Sequence, residues 1–362
     1  MVKTAYLMLE NGAVFQGSYF GVPADVTGEV VFATGMTGYL ETLTDPSYTG
    51  QIVVQTFPLI GNYGIITEDF ESAQIHVSAY IVKDWCQVPS NFRGEGNLDT
   101  FFKSKGVTGL CGIDTRALTK MIREYGTMNG IIVSDPETVD LDEVKSYRIR
   151  KPVCRVSTET VYEAAAENGK RRVAVMDFGL KENIKRELLK RGCDLVVFPH
   201  NASAEEILAV KPDGVLLTNG PGDPEDNEEA IAAIRKLMKT GIPMFGICLG
   251  HQLLALANGF HTRKMKYGHR GANQAVKELS TGRVYITSQN HGYEVVSGSV
   301  DPNVARMSFY NVNDRTCEGI EYLNQPVFSV QFHPEACGGP KDSEFLFDRF
   351  IRKMEEARHA VE

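Results

Sequence analysis

The sequence predicts an α/β protein: a C-terminal doubly wound, mostly parallel sheet with a cysteine nucleophile elbow, preceded by a β-rich α/β N-terminal domain. Three observations predict it. From residue 172 onward, short apolar runs alternate with amphipathic helical runs. The apolar runs are near-continuous, as in strands covered by helices on both faces. Finally, Gly246-Ile247-Cys248-Leu249-Gly250-His251-Gln252 sets a cysteine between such a strand and the next helix. At 362 residues the chain exceeds one ordinary core, so two domains are expected. They fall at 1–150 and 171–362, joined by a linker over 151–170, where Arg150-Lys151-Pro152 breaks regular structure and 163–170 is polar.

In the first domain, apolar runs at 6–9 and 14–17 flank Asn11-Gly12, a hairpin signal because both turn positions tolerate positive φ. Further strands are expected at 28–33, 51–57 and 75–82. A helix should start near Asp114-Thr115, where either side chain can cap the first turn. Leu118, Met121, Ile122 and Tyr125 form its apolar face, and Gly126 stops it. In the second domain, strands at 172–176, 194–198, 214–218 and 243–247 alternate with helices at 182–190, 204–210, 228–239 and 249–258. A more β-rich stretch follows, with clear strands at 283–288 and 326–332, and a helix over 343–358 closes the domain.

A net charge of -8 without a basic cluster argues against nucleic acid as a partner. Apolar runs fall short of the roughly 20 residues that span a bilayer. The first residues read as strand rather than signal peptide, so a cytoplasmic protein is expected. Seven cysteines (Cys86, Cys111, Cys154, Cys193, Cys248, Cys317 and Cys337) are scattered singly, which suits a reducing compartment and gives no structural zinc pattern. His333 and Cys337 are spaced i, i+4, but Pro334 and Gly338-Gly339 oppose a regular helix there, and no metal site is expected.

A thiol at the elbow is exposed above the sheet near the positive end of a helix, where the attacking form, thiolate, is favoured. His333-Pro334-Glu335 supplies the remainder of a triad: His333 as base and acid, Glu335 to orient the imidazole. If 331–333 ends a strand, His333 and Glu335 project to one side. Asn219-Gly220-Pro221-Gly222-Asp223-Pro224, Cys248 and His333 all lie at or just past strand ends. Ligands bind at the carboxyl ends of strands in such sheets, which argues for one active site.

These motifs resemble the class I glutamine amidotransferases, whose hallmark is a Cys-His-Glu triad. In the first half, Gly28-Glu29-Val30-Val31-Phe32, Met36-Thr37-Gly38-Tyr39, Thr44-Asp45-Pro46-Ser47-Tyr48 and Gly112-Ile113-Asp114-Thr115-Arg116-Ala117-Leu118-Thr119 resemble the small subunits of carbamoyl phosphate synthetases. The resemblance implies hydrolysis of L-glutamine to glutamate and ammonia. Cys248 would attack the side-chain amide, and His333 would protonate the departing ammonia and then activate water against the thioester. The Leu249 N–H, just after the nucleophile, would stabilise the oxyanion, with a second donor from Gly220 or Gly222.

By the same resemblance Gln252, Asn290, Gly292 and Tyr293 contact the glutamine, the last three within a binding loop, and Ser47 reaches it from the first domain. His251 and His291 are expected to be structural. Three positions depart from the usual pattern: Arg270 stands for a second histidine, Ala275 for a proline, and Gly338-Gly339-Pro340 for proline-glycine-proline.

The chain carries no phosphate loop or dinucleotide fingerprint. The resemblance implies no cofactor in this chain and places ATP and magnesium on a large subunit, which would receive the ammonia. The expected partner is that subunit, in a heterodimer with higher assembly left open, and the first domain is the expected docking surface. A stand-alone cysteine hydrolase of γ-glutamyl compounds and a non-catalytic assembly subunit are the competing readings. The first would need no partner; intact Cys248, His333 and Glu335 oppose the second.

Overall fold

The computed structural model describes residues 3–336 and 338–359. Its backbone divides into two compact units, Met1–Arg150 and Lys151–Glu362. Cys337 lies outside the described residues.

Strands of the first unit are β1 (Thr4–Leu9), β2 (Val14–Gly21), β3 (Val26–Ala33), β4 (Gln51–Gln55), β5 (Leu59–Ile60), β6 (Ala79–Val82), β7 (Asp84–Trp85), β8 (Thr108–Cys111) and β9 (Met128–Val133). Helices are α1 (Tyr39–Thr44), α2 (Leu98–Lys105), α3 (Thr115–Tyr125) and α4 (Leu141–Ser146). Seven strands close a barrel in the order β1-β2-β8-β6-β4-β3-β9, with β9 returning to β1, while β5 and β7 pair separately. Closure leaves no unpaired edge for another chain to extend. The β1–β2 hairpin turns at Asn11-Gly12, where Gly12 has φ +85°. Asp114 rather than Thr115 caps α3, accepting the Ala117 N–H at 2.9 Å. Leu118 and Ile122 are buried, but Tyr125, at the last turn, is 67% exposed, so the apolar face ends one turn early. The strand expected over 75–82 forms only at Ala79–Val82.

The second unit contains β10 (Tyr162–Ala164), β11 (Arg171–Asp177), α5 (Glu182–Lys190), β12 (Cys193–Pro199), α6 (Ala204–Ala209), β13 (Gly214–Leu217), α7 (Glu228–Met238), β14 (Met244–Ile247) and α8 (Leu249–Ala257). It continues with β15 (Thr262–Glu278), β16 (Val284–Val295), β17 (Ala305–Asn311), β18 (Cys317–Tyr322), β19 (Val327–Val330) and α9 (Phe345–His359). One sheet runs β10-β12-β11-β13-β14-β19-β18-β17-β15-β16. The five strands from β12 to β19 are mutually parallel, and β18, β17, β15 and β16 extend them antiparallel. Residues 151–170, expected as a linker, contain β10, which pairs antiparallel with β12.

Both faces of the parallel part of the sheet are buried, as the continuous apolar strands require. On one face Ala174, Met176 and Leu217 meet α7 and α8 through Ile234, Leu237, Leu253 and Leu254. On the other, Val173, Val175 and Phe245 meet α5 and α9 through Ile184, Leu188, Phe347 and Phe350. Phe245 stacks on Phe328 with centroids 4.5 Å apart, which locks β14 beside β19 and so fixes the strand that delivers Cys248.

Candidate functional site

The nucleophile position is built by β14 and α8. Cys248 separates them at φ +53°, ψ −102°, a left-handed φ that costs a side-chain-bearing residue energy. Neighbouring glycines make the turn possible. A Cβ on Gly250 would fall 2.3 Å from the Leu217 carbonyl oxygen, and one on Gly246 2.7 Å from that of Gly250. The Cys248 N–H donates to Val330 O at 2.9 Å and the Gly250 N–H to Thr218 O at 3.0 Å, so the elbow is tied to strands on both sides. Since the Cys248 amide is thus engaged, the first helical amide past the nucleophile is that of Leu249, at a position lacking an intrahelical acceptor. Gly220 lies close by: a Cβ there would fall 2.8 Å from Leu249 Cδ2 and 2.3 Å from Phe178 O. Gly222 has φ +89°, and a Cβ on it would overlap Pro152.

The second part follows β19. That strand ends at Val330, before His333, which is held by an isolated bridge to Ser288, with its N–H donating to Ser288 O at 2.9 Å. His333 and Glu335 therefore meet through the turn at Pro334, not through strand alternation. Glu335 Oε1 accepts from His333 Nδ1 at 2.8 Å, and both residues are about 1% exposed. Burial depresses the imidazole's basicity and Lys181 adds to that, but Glu335 and Cys248 outweigh both, leaving His333 raised to about 10. Glu335 is opposed by burial, yet His333 and Lys181 hold its carboxyl below the ordinary value. His333 is thus an imidazolium at neutral pH, with Nδ1 committed to Glu335. Its Nε2, which makes no hydrogen bond, is the atom left for the chemistry.

Lys181, which the sequence reading missed, stands at the start of α5. Its Nζ lies 3.4 Å from Glu335 Oε1 and 3.3 Å from His333 Nδ1. The latter contact is two donors converging on one carboxylate, since neither can accept. Lys181 follows the carboxyl end of β11, and the strand-end rule that picked out the other loops points to it as well.

The third wall is β16. Asn290, Gly292 and Tyr293, expected in a loop, lie within this strand. The Cys248 thiol donates to Asn290 O at 3.7 Å. Gln252 Nε2 donates to Tyr293 O at 2.9 Å and to Gln331 Oε1 at 2.9 Å. Gln331 was not singled out in the sequence; it is fully buried, and its own Nε2 has no partner. Orphaned buried polar atoms on His333, Glu335 and Gln331 mark this region as unlike the surrounding core. His251 faces away from this chemistry, its Nδ1 2.8 Å from Ser329 Oγ, and burial lowers it to about 3. In the other unit, Ser47 sits in a short turn, Pro46–Tyr48, with its N–H donating to Asp45 Oδ1 at 2.9 Å.

Among the described residues, His269, His291 and Glu318 bring potential metal-ligand atoms within 4.8 Å of one another. Gln289 occupies the space between them: its Oε1 is 3.0 Å from His269 Nδ1 and 2.9 Å from His291 Nε2, and its Nε2 donates to Glu318 Oε2 at 3.0 Å. The donor atoms are therefore engaged with one another in a hydrogen-bond network. No helix among the described residues is long and apolar enough to cross a membrane.

Residues 174–353 match the family Glutamine amidotransferase class-I, and residues 7–132 match Carbamoyl-phosphate synthase small chain, CPSase domain. The chain is 53% identical over 350 residues to the carbamoyl phosphate synthase small chain of Clostridium perfringens, covering 96% of this chain and 99% of that protein. It is 52% identical over 357 residues to the small chain of Bacillus caldolyticus, covering 97% and 96%. It is 51% identical over 352 residues to the pyrimidine-specific small chain of Bacillus subtilis, covering 96% and 95%. With relatives this similar along nearly its whole length, the chain belongs to the carbamoyl phosphate synthase small-chain family, the glutamine-hydrolysing amidotransferase subunits of that enzyme.

Proposed function

We propose that Cys248, His333 and Glu335 carry glutamine hydrolysis in this chain. The observation that carries the reading is the Cys248 elbow at φ +53° beside a His333–Glu335 pair at 2.8 Å. Cys248 sulfur bonds to the side-chain amide carbon of L-glutamine, and the carbonyl electrons move to oxygen. The Leu249 N–H, with Gly220 or Gly222, stabilises that oxyanion. Collapse breaks the C–N bond, and His333 delivers a proton so that ammonia leaves. Water, deprotonated by His333, then attacks the thioester, and glutamate departs as Cys248 is regenerated. Glu335 holds the ring through Nδ1 so that Nε2 does this work. Gln252, Asn290, Gly292 and Tyr293 hold the glutamine, and Ser47 is assigned a contact with it by family resemblance.

The ammonia passes to a large subunit, in the cytoplasm, where ATP and magnesium act on bicarbonate. The first domain is the proposed docking surface. The test is glutamate release by the purified chain with and without the large subunit, ATP and bicarbonate. Low release that rises sharply only in the full mixture supports a coupled subunit. Equal, brisk release in both would establish an uncoupled hydrolase of γ-glutamyl compounds instead.

A further inference from the structure

Behind the wall formed by β16 lies a buried polar cluster that the chemistry above does not use. β15 and β16 pair in register at only three consecutive positions here, His269 with His291, Arg270 with Asn290 and Gly271 with Gln289. The register is irregular on both sides, between Lys264 and His269 and between Gly271 and Gln274. Such interruptions re-aim a strand locally and relax the hold of the ladder on it. The three-residue island must therefore be located by something else, and its side chains supply it.

Gln289 is the centre. Its Nε2 donates to Glu318 Oε2 at 3.0 Å and to Thr287 Oγ1 at 3.2 Å, which turns Oε1 toward the two imidazoles. There His269 Nδ1 and His291 Nε2 converge at 3.0 and 2.9 Å. His269 is gripped from its other side by Asp314 Oδ2, 2.8 Å from Nε2. The ring is opposed by burial, but Asp314 and Glu318 hold it cationic, raised to about 9. Glu318, fully buried on β18, is itself anchored by Asn311, whose Nδ2 donates to Oε1 at 3.4 Å. Arg270, buried opposite Asn290, packs under Gly292, where a Cβ would fall 3.2 Å from its Nη2. The cluster also reaches forward: His291 Nδ1 lies 2.8 Å from Tyr293 O, the carbonyl that holds Gln252, and the single N–H of this neutral ring serves either that carbonyl or Gln289 Oε1 according to its tautomer. Asn290, between the two cluster residues of the strand, presents its carbonyl to the Cys248 thiol.

We propose that Glu318 and His269 are positioning residues for glutamine binding. Through Gln289 they set the stretch 289–291, and with it the Asn290 carbonyl at the nucleophile and the Tyr293 carbonyl at Gln252. Burial raises the Glu318 carboxyl, while His269, Gln289 and Asn311 pull it back toward the anion, and its role as acceptor from Gln289 Nε2 decides which end of the amide faces the histidines. An amide in its place leaves that orientation unspecified. The inference rests on the site assignment made under Proposed function.

The test uses the full-length chain and compares labelling of Cys248 by a glutamine-mimicking chloroketone and by iodoacetamide, together with glutamine KM in the assembled complex. Glu318→Gln is expected to slow chloroketone labelling and raise KM by about tenfold, the scale of one lost buried hydrogen-bond partner. Iodoacetamide labelling and kcat should stay within about twofold, because the nucleophile itself is untouched. Asp314→Asn, at the half-exposed rim, keeps the fold and should act in the same direction by about threefold. Glu318→Asp, which restores the charge, should recover part of the loss. A labelling ratio and a KM unchanged in Glu318→Gln and Asp314→Asn, with only the melting temperature lowered, would overturn the positioning role. If Glu318→Gln does not fold, Asp314→Asn decides alone. Failure of glutamine to protect Cys248 in the unaltered chain would instead overturn the site assignment, a separate readout.

Discussion

Glu335 accepts from Nδ1 of His333 at 2.8 Å, and by occupying that nitrogen it leaves Nε2 as the atom that can exchange protons with substrate. The same carboxylate lies 3.4 Å from Lys181, so one buried anion serves two cations. Glu335→Gln removes the larger of the two attractions that hold the imidazolium, leaving Cys248 alone against burial and Lys181, both of which depress it. The expected result is a fall in glutamine-dependent turnover of roughly 10²–10⁴, the range for losing a well-oriented acid–base group. The His333 ring should remain protonated across about pH 6 to 8 in the unaltered chain and lose its proton at lower pH in the variant. Imidazole nitrogen shifts followed by NMR check the second point independently of activity.

Cys248→Ala removes the only atom that forms the thioester and leaves the elbow's backbone bonds to Val330 and Thr218 in place. The assembled complex should lose glutamine-dependent carbamoyl phosphate synthesis and keep ammonia-dependent synthesis. Loss of both in a correctly assembled complex would contradict the assignment of Cys248. Alanine also lacks the sulfur that a labelled glutamine would acylate, so no protein-bound glutamate should be trapped by rapid acid quench.

Gly250→Ala is expected to be costly for a purely steric reason. Its Cβ would sit 2.3 Å from the Leu217 carbonyl oxygen and 2.7 Å from Leu217 Cβ, and neither is the far end of a flexible side chain. Either α8 or β13 must shift, at a cost of roughly 1–3 kcal/mol. Because α8 begins at the nucleophile, the shift should also lower glutaminase activity. Gly241→Ala makes the control: its Cβ meets nothing within 4 Å, though its φ of +75° adds a backbone penalty. Melting curves should rank Gly250→Ala as the more destabilised, and glutamate release should fall only in that variant.

Legibility in the sequence followed locality. The elbow was readable because glycine, cysteine and helix start are adjacent, and the parallel strands because their apolar runs are unbroken. β15 was not resolved as a strand: its seventeen residues bury irregularly and carry two register shifts, so no period-two pattern survives. Lys181 and Gln331 were missed because their roles exist only once the segments that follow β11 and β19 meet each other and α8 in the folded chain. The Gln289 cluster draws on β15, β16, β18 and the turn before β18, residues up to 49 positions apart, from His269 to Glu318, with no local signature. Asn290, Gly292 and Tyr293 were assigned by resemblance, and the structure differs in placing them on a strand, where the Arg270 and Gln289 contacts fix them.

The His269–Asp314 pair makes a pH-dependent contribution whose sign follows from its two shifts. His269 is opposed by burial but raised by Asp314 and Glu318 to about 9, above the 6.5 of the unfolded chain. Its contribution is full below about pH 6.5 and is lost as pH rises through 9. Asp314 is opposed by burial too, yet His269 and Thr316 lower it to about 2 from 3.8, so its share is present above 3.8 and lost as pH falls through 2. The two windows overlap between about pH 4 and 6.5, where the pair is doubly charged in the folded and unfolded chains alike. His291 faces the same ring at 5.0 Å between centroids, and burial keeps it well below its ordinary value, so it adds no competing cation. The melting-temperature difference between the unaltered chain and Asp314→Asn should therefore be largest between about pH 4 and 6.5 and shrink toward pH 9 and above. Asp314 is 42% exposed, so solvent screens the pair and the maximum difference should be modest. A difference that instead grew steadily with pH would mean that His269 is neutral in the folded chain, and the charge state assigned to the cluster would have to be reversed.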